Sequence, residues 1–174
     1  MIKTAAIVLA VLLVAILAFA AMRPDTFRVQ RSASINAPSE KIYAFIDDFR
    51  QWQAWSPYEK LDPGMTRSLS GAQSGKGAVY QWDGSKAGSG RMEIVDGSPG
   101  SKVVIKLDFI KPFEGHNIAE FILEPSGGKT TVTWAMYGPS PFIAKLMGLF
   151  INMDTMIGKD FEAGLSNLKA VAEG

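Results

Sequence analysis

An unbroken apolar run near the amino terminus separates the first part of the chain from the rest. Residues 5–22 read AAIVLAVLLVAILAFAAM and contain no charged or polar side chain. As a helix, these 18 residues would extend about 27 Å, close to the ~30 Å hydrocarbon core of a bilayer. A surface helix of a globular domain carries a polar face, and this run has none. The run therefore predicts a segment in a membrane.

Two interpretations fit this run. A cleaved secretory signal would use Lys3 as its positive region and Ala18-Phe19-Ala20 as the small-residue site before the cut. An uncleaved anchor would span the membrane once. Because the run exceeds the usual hydrophobic region of a signal, which has ~7–15 residues, we favour the anchor.

The run divides the chain into a membrane segment at residues 1–23 and one domain at residues 24–174. A short amino-terminal tail followed by an apolar run resembles an export signal, which favours a domain outside the cytoplasm. The positive-inside rule opposes this orientation, because basic residues follow the run at Arg23, Arg28 and Arg31. We expect a single-pass membrane protein with an extracytoplasmic domain.

Composition excludes several classes of partner and cofactor. The net charge of +1 gives no basic surface of the kind that binds a phosphate backbone, so nucleic acid is not an expected partner. The chain has no cysteine and one histidine, which removes thiolate chemistry, disulfides and multi-histidine metal clusters. We predict neither a metal site nor a cofactor.

Short alternating runs dominate the domain. Residues 27–35 (FRVQRSASI) place apolar and polar side chains in turn, which indicates a half-buried strand. Pairs such as Asp83-Gly84, Asp96-Gly97 and Gly127-Gly128 predict the turns. Six further strands are predicted at residues 65–70, 78–83, 89–96, 102–110, 114–124 and 129–138.

Helical patterns occur after the first strand and at the end of the chain. Asn36-Ala37-Pro38 predicts a helix start with Asn36 as cap, and residues 51–55 predict a second short helix ended by Ser56-Pro57. Apolar residues recur at helical spacing from Ser140-Pro141 to about Ala172, with a kink or break near Asn152.

Together these elements predict an α+β domain. A curved antiparallel sheet of about seven strands would wrap around the long C-terminal helix, with two short helices after strand 1. Such an arrangement leaves a cavity between sheet and helix.

Several segments resemble the polyketide cyclase/dehydrase family of the START-like, birch-pollen-allergen-type helix-grip superfamily (SRPBCC). The resemblance rests on residues 35–43 (INAPSEKIY), 49–57 (FRQWQAWSP), 75–84 (GKGAVYQWDG), 121–125 (FILEP) and 131–134 (TVTW), and it extends over residues 27–173. It implies the helix-grip fold. That superfamily includes lipid carriers, hormone receptors and aromatic cyclases, so the resemblance does not fix the reaction.

Strand parity predicts which side chains face the cavity. The candidate ligand-binding residues are aromatic and methionine side chains, which suit an apolar molecule but also fill cores. They are Tyr80, Trp82, Phe109, Phe121, Trp134, Met136, Met147, Phe150 and Met153.

Candidates for acid or base chemistry reduce to His116, Tyr58, Tyr80 and Glu114, and none has a partner identifiable from spacing. Parity places His116 on the solvent side of its strand. We assign no catalytic residue. The sequence favours membrane-anchored binding, with or without transfer, of an apolar small molecule or lipid, and the alternative is a cyclase or dehydratase acting on a hydrophobic substrate.

Overall fold

The structure is a computed structural model and describes residues 2–174. The apolar run lies in helix α1 (Ile2–Ala21). Over Lys3–Ala21, α1 is long and apolar enough to cross a membrane, although a signal sequence meets the same test. Ala20, in the last turn, is fully buried, and nearly all the rest of the span is exposed. By length and composition, both an anchor and a signal remain compatible with α1.

Seven antiparallel strands form one sheet in the order β1-β7-β6-β5-β4-β3-β2. The strands are β1 (Thr26–Ile35), β2 (Thr66–Gly71), β3 (Ala78–Gly84), β4 (Gly88–Ser98), β5 (Lys102–Lys111), β6 (Gly115–Ser126) and β7 (Lys129–Pro139). All seven predicted strands are confirmed. The period-two pattern locates them because one face is buried: Val103 and Ile105 are fully buried, whereas Lys106 beside them is exposed.

One predicted turn is wrong. Asp96 and Gly97 lie within β4, because the strand shifts its register to β5 at a bulge between Ile94 and Asp96 and then continues. The chain reverses after Ser98, where Gly100 has a positive φ of 70°. The Asp-Gly pair therefore accompanies a bulge here and not a reversal.

Four short helical segments connect β1 to β2. They are α2 (Ser39–Ile46), a 3₁₀ turn (Phe49–Gln51), α3 (Trp52–Trp55) and α4 (Pro57–Leu61). The predicted Asn36 cap is wrong, since Pro38 occupies the cap position and the Asn36 backbone N–H donates to Glu173 at 2.7 Å. Helix α4 was not predicted, because the sequence at Ser56-Pro57 indicates a helix end. Pro57 instead occupies the first turn of α4, a position where proline is tolerated.

The C-terminal helical segment is broken where the sequence predicts it. Helix α5 (Phe142–Met147) ends before Gly148, and α6 (Met153–Glu173) begins after Asn152. The Asn152 side chain caps α6 by accepting a hydrogen bond from the Thr155 backbone N–H at 3.0 Å. Helix α6 crosses the concave face and contacts β1 and the short helices, whereas α5 contacts α1.

Strand register defines two ends of the sheet. At the end from which α1 departs, Thr26 pairs with Pro139 and Ser89 pairs with Lys111. We call this the anchor-side end; it also carries the β3–β4 and β5–β6 turns. The far end carries the turns at Gly71–Gly77, Ser98–Lys102 and Ser126–Lys129.

Candidate functional site

Stacked aromatic rings fill the concave face beneath the middle of α6. The Trp134 indole lies between the rings of Phe161 and Phe121, with centroids 4.1 Å and 5.0 Å away. Trp52 and Trp55 meet Trp134 edge-on from the short helices, at 6.5 Å and 5.6 Å. All five side chains are buried, so this part of the predicted ligand cavity is hydrophobic core.

Gly164 allows α6 to approach the sheet closely. A Cβ atom at this position would lie 2.6 Å from the Trp134 ring and 3.0 Å from Pro57. The Trp134 indole Nε1 is buried and has no hydrogen-bond partner among residues 2–174. A buried donor left unpaired costs about 1–3 kcal/mol, so packing must outweigh that cost here.

Tyr80, another predicted ligand-binding residue, belongs to a polar cluster beneath α4. Its hydroxyl donates to Glu59 Oε1 at 2.6 Å, and Arg67 Nε donates to Glu59 Oε2 at 2.6 Å. Burial raises the pKa of Tyr80, and the hydrogen bond to Glu59 raises it further. The phenol therefore keeps its proton and directs it to Glu59, which makes Tyr80 a poor proton donor to a ligand.

The concave face is less completely covered at the anchor-side end. Phe27, Trp82 and Phe109 are half-buried there and pack against the core. Trp82 and Phe109 meet edge-on at 6.0 Å, and the Trp82 Nε1–H donates to the Ala87 carbonyl at 3.2 Å. We call these three residues the rim. Phe27 was not among the predicted site residues, although its parity with Val29 in β1 places it on this face.

Gly90 positions the Trp82 side chain. A Cβ atom at Gly90 would lie 2.3 Å from the Trp82 ring, so the indole lies over β4 where no side chain exists. Met136 is buried deeper on the same face, opposite Val29. Asn117, paired with Leu107, adds a half-buried amide to this region.

The nine predicted residues thus fall into two sets. Six of them face the concave side or the core: Tyr80, Trp82, Phe109, Phe121, Trp134 and Met136. Met147, Phe150 and Met153 do not face the sheet. Met147 ends α5 and Phe150 lies in the break that follows it, whereas Met153 is the first residue of α6. They are exposed, and Phe150 has 76% of its surface accessible.

His116 lies on the convex side, as parity predicts. Its Nδ1 is 2.8 Å from Asp108 and its Nε2 is 3.2 Å from Glu114. The hydrogen bond with Asp108 raises the pKa of His116 above its ordinary value, with a smaller contribution from Glu114. Burial alone would raise the pKa of Asp108, but its bonds with His116 and Lys106 together lower it.

We expect Asp108→Asn to lower the pKa of His116 toward its ordinary value of about 6.5. The attraction between protonated His116 and Asp108 contributes fully to folding stability below that ordinary pKa. This contribution is lost as pH rises through the raised pKa of His116. His116 is the sole histidine, so one imidazole NMR signal reports the titration in the full chain. An unchanged midpoint in Asp108→Asn would contradict this arrangement, and Asp83→Asn is the control on an exposed carboxylate two strands away, on β3.

Metal-ligating side chains do not cluster in the structure. Within residues 2–174, no group of three or more histidine or carboxylate side chains is arranged to hold an ion. The rim instead combines apolar rings with the Asn117 amide, which can contact an apolar molecule and orient one polar group on it.

Solved structures share this fold. The di-domain ARO/CYC BexL from the BE-7585A biosynthetic pathway is similar, with a TM-score of 0.63 and 19% identity, over 90% of this chain and 53% of BexL. CV1439 from Chromobacterium violaceum has a TM-score of 0.60 and 16% identity, over 87% of this chain and 99% of that chain. The Aha1 dimer from Colwellia psychrerythraea has a TM-score of 0.56 and 18% identity, over 84% and 96% of the two chains.

At these identities the similarity establishes the helix-grip fold alone. A comparison with curated proteins found no match. The family described as "Polyketide cyclase / dehydrase and lipid transport" matches residues 26–173, from the start of β1 to the end of α6. Because this match includes the whole sheet and the helix that crosses it, the chain belongs to the polyketide cyclase/dehydrase and lipid transport family.

Proposed function

We propose that this protein is held in a membrane by α1 and binds an apolar small molecule or lipid at the anchor-side end of its concave face. The observation that carries the proposal is the rim: Phe27, Trp82 and Phe109 are half-buried and apolar. The rim lies at the end of the sheet from which α1 departs. The domain would lie outside the cytoplasm, because a basic residue at Lys3 followed by an apolar run also resembles an export signal.

Contacts between α1 and the domain support an uncleaved anchor. Ala20 is fully buried, and α1 contacts α5. Beyond α1, the Asp25 carboxylate pairs with the buried Lys145 ammonium of α5, and the Asp25 carbonyl accepts from the Ser140 N–H at 2.7 Å. Cleavage before Ala21 would remove the buried Ala20 and the contact of α1 with α5.

We expect the protein extracted from native membranes to have the intact mass of the full chain. The measurement is mass spectrometry of the protein in detergent. Loss of about 20 residues would instead identify α1 as a signal sequence. A variant with Ala18→Leu and Ala20→Leu, which lacks the small residues of the candidate cleavage site, is the control for cleavage at that site.

The side chains at and near the rim indicate that the ligand is mainly apolar. Three aromatic rings supply most of the contact surface, and Met92 and Met136 lie on the same face. Asn117 offers one amide for a carbonyl or hydroxyl group of the ligand. A molecule with an apolar body and a single polar group fits this composition.

The alternative is a cyclase or dehydratase acting on a hydrophobic substrate, which the family description supports. Such a reaction needs a proton donor or acceptor near the ligand. Tyr80 is engaged by Glu59, and His116 is paired with Asp108 and Glu114 on the convex side. Burial raises the pKa of Tyr58, and Asp160 raises it further, so this phenol also keeps its proton. Binding therefore fits the side chains at the rim better than catalysis does.

We expect Trp82→Arg to reduce uptake of a fluorescent fatty-acid or isoprenoid probe by at least about tenfold, because it places a charge in an apolar contact. Gln81→Arg adds the same charge to the adjacent exposed position of β3 and is the matched control. Both variants are compared by circular dichroism in the same detergent. Equal uptake by the two folded variants would contradict binding at the rim.

Native mass spectrometry of the extracted full chain identifies what the protein carries. We expect a bound apolar molecule in the wild type and its loss in Trp82→Arg. His116→Gln is expected to leave uptake within a few fold of wild type, because His116 faces away from the concave side. Turnover of a bound substrate that disappears in His116→Gln, with binding retained, would favour the enzyme instead.

A further inference from the structure

We propose that an apolar surface of the domain, separate from the rim, docks on the bilayer beside α1. The docking surface consists of Ile110, Phe113, Phe142, Ile143, Phe150 and Ile151, all of them exposed. Its occupant is the lipid at the membrane boundary. This inference rests on the proposed function in one respect, that α1 is an uncleaved anchor.

The short connection from α1 fixes the distance to the membrane. Helix α1 ends at Ala21 and β1 begins at Thr26, so four residues separate them. The five Cα–Cα steps from Ala21 to Thr26 extend at most about 18 Å. With α1 inserted, the anchor-side end of the sheet lies within that distance of the last turn of the span.

Helix α5 lies at the level of that last turn. Ala20 is fully buried, and α1 contacts α5. Just after α1, the Arg23 guanidinium lies close to Gly148, the C-cap residue of α5. Helix α5 and the loop after it therefore begin where the span reaches the boundary of the hydrocarbon core.

Strand register adds the β5–β6 turn to the same surface. Lys111 pairs with Ser89 and Phe109 pairs with Gly115, which puts the turn at the anchor-side end. Ile110 and Phe113 lie in and beside this turn and are 57% and 69% exposed. The three turns at the far end carry serine, glycine, lysine and other small or polar residues, and no large apolar side chain is exposed there within residues 2–174.

Charge is nearly absent from the segment at residues 142–153. Lys145 is its one charged residue, and its buried ammonium pairs with Asp25 at the end of the connection from α1. Apart from Asn152, which caps α6, the large exposed side chains of the segment are apolar, and Phe150 is the most exposed aromatic residue among them. An uncharged apolar surface at the depth of the headgroups is typical of a segment that inserts into the interface.

A docked surface of this kind would bring the rim to the lipid. Trp82 and Phe109 lie at the same end of the sheet as Phe113. A lipid leaving the bilayer beside α5 would then reach the rim with little exposure of its chains to water. The docking surface thus supplies a route for the apolar molecule that the rim is proposed to bind.

Labelling single cysteines tests the proposal directly, because the chain contains none. Phe113→Cys and Phe150→Cys each receive a polarity-sensitive fluorophore in the full chain, reconstituted into phosphatidylcholine vesicles. Both side chains are exposed, so a label displaces no core residue. Ser101→Cys, exposed at the far end, is the aqueous control, and Val11→Cys in α1 is the control within the bilayer.

We expect the labels at 113 and 150 to emit at shorter wavelength than the label at 101 and to be quenched by a quencher carried on the lipid. If both labels behave as the label at 101 does while the label at 11 is quenched, the anchor is retained and the docking proposal is wrong. A blue-shifted label that the lipid quencher does not reach would place a protein surface there instead and overturns the proposal. An unquenched label at 11 would remove the anchor, and with it the basis of both proposals, whereas loss of probe uptake alone affects the proposed function only.

Discussion

Replacing Trp134 by alanine is expected to reduce the free energy of unfolding by about 3–5 kcal/mol, as large deletions in well-packed cores do. The Trp134 ring stacks on Phe161 at 4.1 Å, and Gly164 of α6 lies directly against it. The neighbouring rings come from three different elements and are held by their own packing. The cavity left by the indole therefore has little freedom to collapse.

Urea denaturation of the full chain in detergent, followed by circular dichroism in the β-sheet region, measures this loss. Trp82→Ala is the matched control, because it removes the same side chain from a half-buried position at the rim. We expect the control to lose less stability than Trp134→Ala. Equal losses would show that the rim is as firmly packed as the core and would weaken the proposal that a ligand enters there.

The sequence predicts the sheet well because a single buried face leaves a regular signal. In β5, Val103, Ile105 and Leu107 alternate with residues on the other side, and the structure buries all three. The same parity places His116 on the convex side, where it pairs with Asp108. Period-two patterns are local, so they need no knowledge of which strands are neighbours.

The extent of the core was harder to predict. Parity identifies Phe121 and Trp134 as facing the concave side but does not show that Trp52, Trp55 and Phe161 fill the space in front of them. Filling depends on how closely the helices approach, and Gly164 controls that distance for α6. A glycine in a helical pattern is a weak signal until its neighbour across the interface is known.

Long-range polar pairs could not be predicted from the sequence either, because their partners become neighbours only in the folded chain. Glu59 follows a Ser-Pro pair that the sequence predicts as a helix end, and its partners Arg67 and Tyr80 lie on two different strands. The exposed position of Phe150 was likewise unpredictable, because helical spacing continues on both sides of the break at Asn152. The break is visible in the sequence, but the direction that the chain takes there is not.

Glu59→Ala is expected to destabilise the domain by about 3 kcal/mol, the lower end of the range for breaking a buried charge pair. The Glu59 side chain is 8% exposed and accepts from both the Tyr80 hydroxyl and the Arg67 guanidinium at 2.6 Å. Its removal leaves the buried Tyr80 hydroxyl without its acceptor and the Arg67 guanidinium, 23% exposed, without its counter-charge. The partial exposure of Arg67 is the reason for choosing the lower end, since water can solvate that group.

A double-mutant cycle separates the two contacts of Glu59. Tyr80→Phe alone should cost about 1 kcal/mol, the net value of one hydrogen bond. In the Glu59→Ala background the same change should cost less, because the hydroxyl no longer has its acceptor. Lys60→Ala, at the adjacent exposed position of α4, is the control and should change stability by no more than about 0.5 kcal/mol. Additive losses in the cycle would mean that Tyr80 and Glu59 do not interact, and Tyr80 would then be free to donate its proton to a ligand.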